Sequence, residues 1–280
     1  MKTVTSRDGT IIAFDNLGQG PAVILVSGAL GTRSHAAPNS MADILSKQFT
    51  AIDYDRRGRG DSDDNQPYAV QREIEDIEAL IDGAGGSAFL FGNSSGAVLA
   101  LEAARALPDK VKKLALFEPP FIIDDSRPPL PKDYVEQLNE AIAAGRPGDA
   151  VETFMTKAML IPPEFVAMMR NSPMSQTFSD DSGARPPEWS DMEKVAHTLA
   201  YDGLIVKDFL TGKPLPPKRW ASFTGPALVI VGGNSEPFFH DGAQALVNAM
   251  PNAQRRILEG QDHTVSPEAF APVLVEFFQA

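Results

Sequence analysis

Eight short β-rich runs, KTVTS, TIIAFD, AVILVSG, FTAIDYD, SAFLFGN, KKLALFE, ALVIVGG and QRRILEG, alternate with helical patterns along this chain. That alternation predicts an α/β fold: an eight-stranded, mostly parallel sheet with helices on both faces. Between the runs, Val70, Ile74, Ile77, Leu80 and Ile81 recur at helical spacing, with Arg72, Glu73, Glu75, Asp76 and Glu78 on the other side. The spacing predicts a half-buried covering helix whose apolar stripe is core and not a partner site.

The pattern breaks between FEPPF and the strand that begins near Pro226. DDSRPPLPKDY, helical segments, the polar stretch SQTFSDDSGARPPEWSD, more helix and GKPLPPKRW fill the interval. Residues 1–122 and 222–280 are therefore expected to form one α/β core, and residues 123–221 a helical insertion over one edge of it. The stretch from Ser175 to Ser190 offers little to bury and is expected to be a loop.

Composition narrows the partners. With 280 residues and 43% hydrophobic content, the chain can bury one large core and a smaller lobe. A net charge of -12 repels nucleic acid and anionic membranes, so neither is an expected partner. MKTVTSRDG lacks the apolar stretch of a signal peptide, and no apolar run reaches about 18 residues, so a soluble, cytoplasmic protein is expected. Without cysteine there is no disulfide or thiolate zinc site, and the four histidines, at 35, 197, 240 and 263, are scattered. No metal and no cofactor are expected, and the chain should act as a monomer or homodimer on a small molecule.

The stretch FLFGNSSGAVLA, residues 89–100, joins an apolar strand to an Ala/Leu-rich helix through a corner of small residues. Three readings compete for it. A phosphate cradle would use the glycine turn and helix N-terminus, but GNSSGA lacks the P-loop lysine and SGALGTRS lacks a third glycine. Ser94 or Ser95 could simply cap the helix. The third reading is a nucleophile elbow, G-x-S-x-G, carried by Gly92-Asn93-Ser94-Ser95-Gly96 between strand and helix. There a strained backbone thrusts the serine hydroxyl outward, and small flanking residues let strand and helix approach.

With that elbow, the chain resembles the α/β-hydrolase superfamily over nearly its whole length. Besides Ser94, the resemblance rests on Ser27-Gly28-Ala29, YDRRGRGDS at 54–62, GGNSEP at 232–237 and Gly260-Gln261-Asp262-His263. Many relatives carry His-Gly where this chain has Ser27-Gly28. The resemblance implies that the insertion is the family's cap, that His263 is the base, and that the backbone N–H groups of Ala29 and Ser95 form the oxyanion hole. It makes DRRGRGD a structural turn near the site and not an anion clamp. For the acid it leaves two positions: Glu118, at the end of KKLALFE and followed by two prolines, is preferred, and Glu236 in GGNSEP is the alternative. Their blander roles are an ion pair with Arg127 for Glu118 and a loop position for Glu236.

Relatives that open epoxides or remove halides use an aspartate at the elbow. A serine implies acyl transfer to water: hydrolysis of a carboxylic ester, lactone or thioester through an acyl-enzyme. Two alternatives stay open, a C–C bond hydrolase of a diketone-like substrate and a non-catalytic ligand receptor on a hydrolase scaffold. In the insertion, Phe154, Met155, Met159, Leu160, Phe165, Met168, Met169 and Met174 cluster. Packing accounts for such a cluster, yet methionine also lines adaptable apolar pockets, which makes Met155, Met159 and Met168 candidate substrate contacts.

Overall fold

The computed structural model describes residues 1–171 and 188–280; Met174 and most of the polar stretch from Ser175 to Ser190 lie outside them. The described chain forms two compact units, Met1–Pro129 with Ile205–Ala280, and Leu130–Leu204.

All eight runs are strands of one sheet: β1 (Lys2–Thr5), β2 (Ile11–Leu17), β3 (Ala22–Val26), β4 (Thr50–Tyr54), β5 (Ala88–Asn93), β6 (Val111–Phe117), β7 (Ala227–Gly232) and β8 (Ala253–Leu258). Their spatial order is β1-β2-β4-β3-β5-β6-β7-β8. Only β1 with β2 and β2 with β4 pair antiparallel; from β4 through β8 every pairing is parallel. In β3 and β7 every residue is buried, as expected of strands covered on both faces. The outer strand β8 carries Arg255 and Arg256 in exposed positions, which blunts that edge against strand addition.

Helices α1 (Met41–Leu45), α2 (Val70–Gly83) and α3 (Ser95–Ala106) follow β3, β4 and β5. Because β3 leads to β4 on one side while β5 lies on its other side, the chain reverses direction at β3, and the loops after β3 and β5 meet at that switch point. Open α/β sheets place their ligand crevices there. Helix α3 is buried along nearly its whole length, and its alanines let it lie close to the sheet.

The stripe of α2 is core as expected: Ile74, Ile77, Leu80 and Ile81 are buried. Its opposite face departs from the expectation, because Glu73, Glu75 and Asp76 are buried too. Arg56 binds both oxygens of Glu73 at 2.7 Å, and Arg57 binds Asp76 at 2.7 and 2.8 Å. The arginines of DRRGRGD thus turn a polar face inward. Periodicity alone reports which residues are charged, not whether a bidentate partner waits across the interface. Removing Asp76 leaves the buried Arg57, among the described residues, with only the partly exposed Asp8 as an acidic partner, at 3.0 Å, so Asp76→Ala is expected to lower the unfolding free energy by at most about 3–5 kcal/mol in urea titrations.

The flanks of the insertion also belong to the first unit, which departs from boundaries at 122 and 222. Ile122 pairs with Leu210, and its amide donates to the Phe209 carbonyl at 3.0 Å. Trp220 is fully buried near Phe121 and Phe209, and its indole N–H donates to Glu102 on α3 at 2.9 Å. Arg219 joins it on the same carboxylate. These contacts, made by a Pro-rich segment, are long-range and leave no periodic signature.

The second unit is helical: α4 (Tyr134–Ala143), α5 (Pro147–Thr153) running into a π-helical turn (Phe154–Ala158), α6 (Pro163–Asn171), α7 (Trp189–Val195) and α8 (Leu199–Val206), which ends beyond the unit's boundary. Arg170 ties α6 to α5 through Asp149 and Glu152, each at 3.0 Å. Met155 is buried, whereas Met159, Leu160, Phe165 and Met168 are exposed. In the first unit, α9 (Pro237–Ala249) and α10 (Pro267–Gln279) complete the layers on the sheet. No helix among the described residues is long and apolar enough to cross a membrane.

Candidate active site

Ser94 sits between β5 and α3 at φ 53°, ψ -126°, a conformation that non-glycine residues adopt only when their surroundings impose it. Its amide is held by the Phe117 carbonyl at 2.9 Å, so the corner is fixed to the neighbouring strand. The flanking glycines leave room for it. A Cβ at Gly92 would lie 2.4 Å from the Gly96 carbonyl, and one at Gly96 would lie 2.3 Å from the Val26 carbonyl. The Ser94 hydroxyl makes no capping hydrogen bond to α3, which removes the helix-cap account of this serine.

Glu118 follows β6 directly and is itself at φ 46°. Its amide still donates to the Ile230 carbonyl, but the turn takes its side chain into a fully buried position. One carboxylate oxygen accepts from the Gly232 N–H at 2.7 Å and from the Ser235 hydroxyl at 2.5 Å; the other lies 2.5 Å from His263 Nδ1. A buried carboxylate with three hydrogen-bonding partners is compensated. Ser235 was not singled out in the sequence; the only signal was a small hydroxyl residue in GGNSEP, two positions after Gly233.

His263 reaches this carboxylate from the loop after β8. Its ring lies nearly parallel to Phe239 at 4.9 Å between centroids and to Phe117 at 6.0 Å. The preceding Asp262 is exposed, and the Thr264 hydroxyl and N–H, at 2.6 and 2.8 Å, hold its carboxyl below the usual range. The loop is therefore closed by Asp262, leaving Glu118 as the acid at the imidazole.

The alternative acid is elsewhere. Glu236 is 61% exposed and pairs with Arg127 at 3.0 Å, whereas Glu118 is 0% exposed. Arg127 also lies over the Phe238 ring at 4.1 Å. The ion pair expected as the blander role of Glu118 is thus made by Glu236. Both acids follow strands of the sheet; it is Glu118, beside Gly232 of β7, that meets the histidine.

The turn after β3 abuts the elbow. Gly28 donates its N–H to Asn93 Oδ1 at 2.9 Å, and a Cβ on Gly28 would stand 3.0 Å from Ser94 Cβ. Gly31 closes the turn through its amide to the Gly28 carbonyl at 3.3 Å, with Leu30 at φ 61°. Ala29 lies within that turn, and Ser95 begins α3. Met155, Met159 and Met168 belong to the helical unit described by itself. Among the described residues no group of His, Asp and Glu could hold a metal ion.

Known proteins are similar to this chain in structure or in sequence. An α/β hydrolase from Sphaerobacter thermophilus superposes with a TM-score of 0.85 at 50% identity, covering 99% of this chain and 100% of its own. An uncharacterized hydrolase, YraK, of Bacillus subtilis is 30% identical over 115 residues, 40% of this chain and 42% of its own length. A non-heme chloroperoxidase of Streptomyces lividans is 30% identical over 162 residues, 52% and 56% of the two lengths. These matches span about half the length of the two curated relatives. The model of the alpha/beta hydrolase family matches residues 6–273, and this chain, with its eight-stranded sheet and serine elbow, belongs to that family.

Proposed function

We propose that this protein is a serine hydrolase that cleaves a carboxylic ester, lactone or thioester of a small, largely apolar substrate. The observation that carries this reading is the strained Ser94 whose hydroxyl caps nothing; its amide is bound to Phe117, the residue before the buried Glu118 that pairs with His263.

In this mechanism Ser94 Oγ attacks the substrate carbonyl carbon while His263 Nε2 takes the hydroxyl proton. The carbonyl π pair moves to oxygen, and the Ala29 and Ser95 N–H groups stabilise the oxyanion. As the pair returns, the bond to the leaving oxygen or sulfur breaks and His263 delivers its proton there. Water then repeats the sequence on the acyl-enzyme, freeing the carboxylic acid and regenerating Ser94. Glu118 holds Nδ1 protonated, so that Nε2 is the acceptor, and stabilises the imidazolium.

A fluorophosphonate is expected to label the wild type at Ser94, and a panel of esters, lactones and diketones to show turnover of acyl substrates. An inert Ser94 would favour a receptor instead, and turnover of diketones alone would favour C–C hydrolysis. No cofactor, nucleic acid or membrane enters this reading, and the protein acts in the cytoplasm as a monomer or homodimer.

The apolar preference is proposed on the Met-rich segment. Trimming Met155, Met159 and Met168 to alanine is expected to shift preference toward bulkier acyl chains without abolishing turnover. Met155→Ala should also cost about 2–5 kcal/mol of stability, because that side chain is buried, while the two exposed positions should cost little. An unchanged chain-length profile would assign all three to packing.

A further inference from the structure

The Gly28 residue beside Ser94 is held at both of its polar groups. Its N–H donates to Asn93 Oδ1 at 2.9 Å, and its carbonyl accepts from Arg59 Nη1 at 2.6 Å. Arg59 Nη1 also reaches the Gly31 carbonyl at 3.1 Å. One residue earlier, Arg56 Nη1 donates to the Ser27 carbonyl at 3.2 Å while its other nitrogens grip Glu73. Both arginines are buried to within 1% of full enclosure, so their guanidinium groups are parts of the scaffold and face no solvent.

The direction of these bonds matters. In a trans peptide the C=O and the following N–H point opposite ways. Arg59 on the Gly28 oxygen therefore orients the Ala29 N–H away from itself, on the far side of the same rigid plane. Asn93, adjoining the nucleophile in sequence, occupies the Gly28 N–H, so that amide is committed and the Ala29 amide is the one left to the reacting carbonyl. Among the described residues no acceptor takes the Ala29 N–H.

We propose that Arg59 and Asn93 are positioning residues for oxyanion stabilisation: together they lock the Gly28 backbone so that the Ala29 N–H stands ready before substrate arrives. Donors that need no reorganisation at the moment of reaction are the ones that lower a barrier most. The inference rests on the acyl-transfer reading and extends it to two side chains that do not touch the substrate.

The test compares an oxoester with its thionoester in Arg59→Met, Arg59→Lys and Asn93→Ala. Sulfur accepts hydrogen bonds weakly, so a lost oxyanion donor harms the oxoester more than the thionoester, whereas damage to nucleophile or base harms both alike. In Arg59→Met and Asn93→Ala, kcat for the oxoester is expected to fall about a hundredfold, with KM within about threefold and the oxoester-to-thionoester ratio of kcat/KM down at least about tenfold. Arg59→Lys, which retains the charge and a donor, should recover part of the ratio. Asn93 is exposed, so Asn93→Ala should fold even if a buried arginine cannot be replaced. Equal losses on both esters, or an unchanged ratio in Asn93→Ala, overturn this inference alone. A wild type not labelled by fluorophosphonate at Ser94 overturns the acyl-transfer reading and this inference with it.

Discussion

Ser94→Ala is expected to lower turnover of a short p-nitrophenyl ester by about a millionfold while leaving the fold intact. The serine hydroxyl makes no cap bond to α3, so its removal takes no support from the helix, and the urea midpoint should barely move. What disappears is the covalent step. His263→Ala should be nearly as severe, because without a base the hydroxyl is a poor nucleophile, and the double variant should be no worse than either single one. Measured burst and steady-state rates with all three proteins check this. Retained turnover in Ser94→Ala would remove the nucleophile from the proposal.

Glu118→Gln is expected to cost about four orders of magnitude in turnover, and Glu236→Gln little. The reason lies in how the Glu118 site is wired. Gly232 and Ser235 donate to one of its oxygens, so a glutamine there must keep its carbonyl on that side. Its NH2 then faces His263 Nδ1 and donates to it, which forces the ring proton onto Nε2. A histidine in that tautomer cannot accept the Ser94 proton. Glu236, by contrast, is itself largely exposed and bound to Arg127, so neutralising it weakens one solvent-screened ion pair and leaves the imidazole alone. The reverse outcome would move the acid to Glu236, and two mild outcomes would leave a Ser94 and His263 dyad.

Much of the scaffold could be read directly from the residues because the signals are local. A run such as AVILVSG declares a buried strand by its own composition, and GNSSG between strand and helix declares its corner. The choice between Glu118 and Glu236 was not decidable in the same way, since both follow strands and only pairing across the sheet brings one to His263. Ser235 was missed, and the partners of Asn93 and Arg59 were not legible, for the same reason. Each acts through a hydrogen bond to a group far away in sequence, and an Asn or Ser carries no pattern that names its partner. The buried acids of α2 mark the opposite failure, in which a sound local rule about charged faces yielded to arginines supplied from the turn after β4.

The near-parallel phenyl rings beside His263 have a use of a different kind. Protons of an imidazole lying over the faces of Phe239 and Phe117 fall within the shielding regions of both ring currents. Their magnetic resonances should be displaced upfield, so in a protein with four histidines the titration of this one can be followed by its own signal without an isotopic label at the residue or a bound inhibitor. The protein thus carries a native spectroscopic reporter of the proposed base, which can be read in the resting state, in Glu118→Gln and in an acylated form alike.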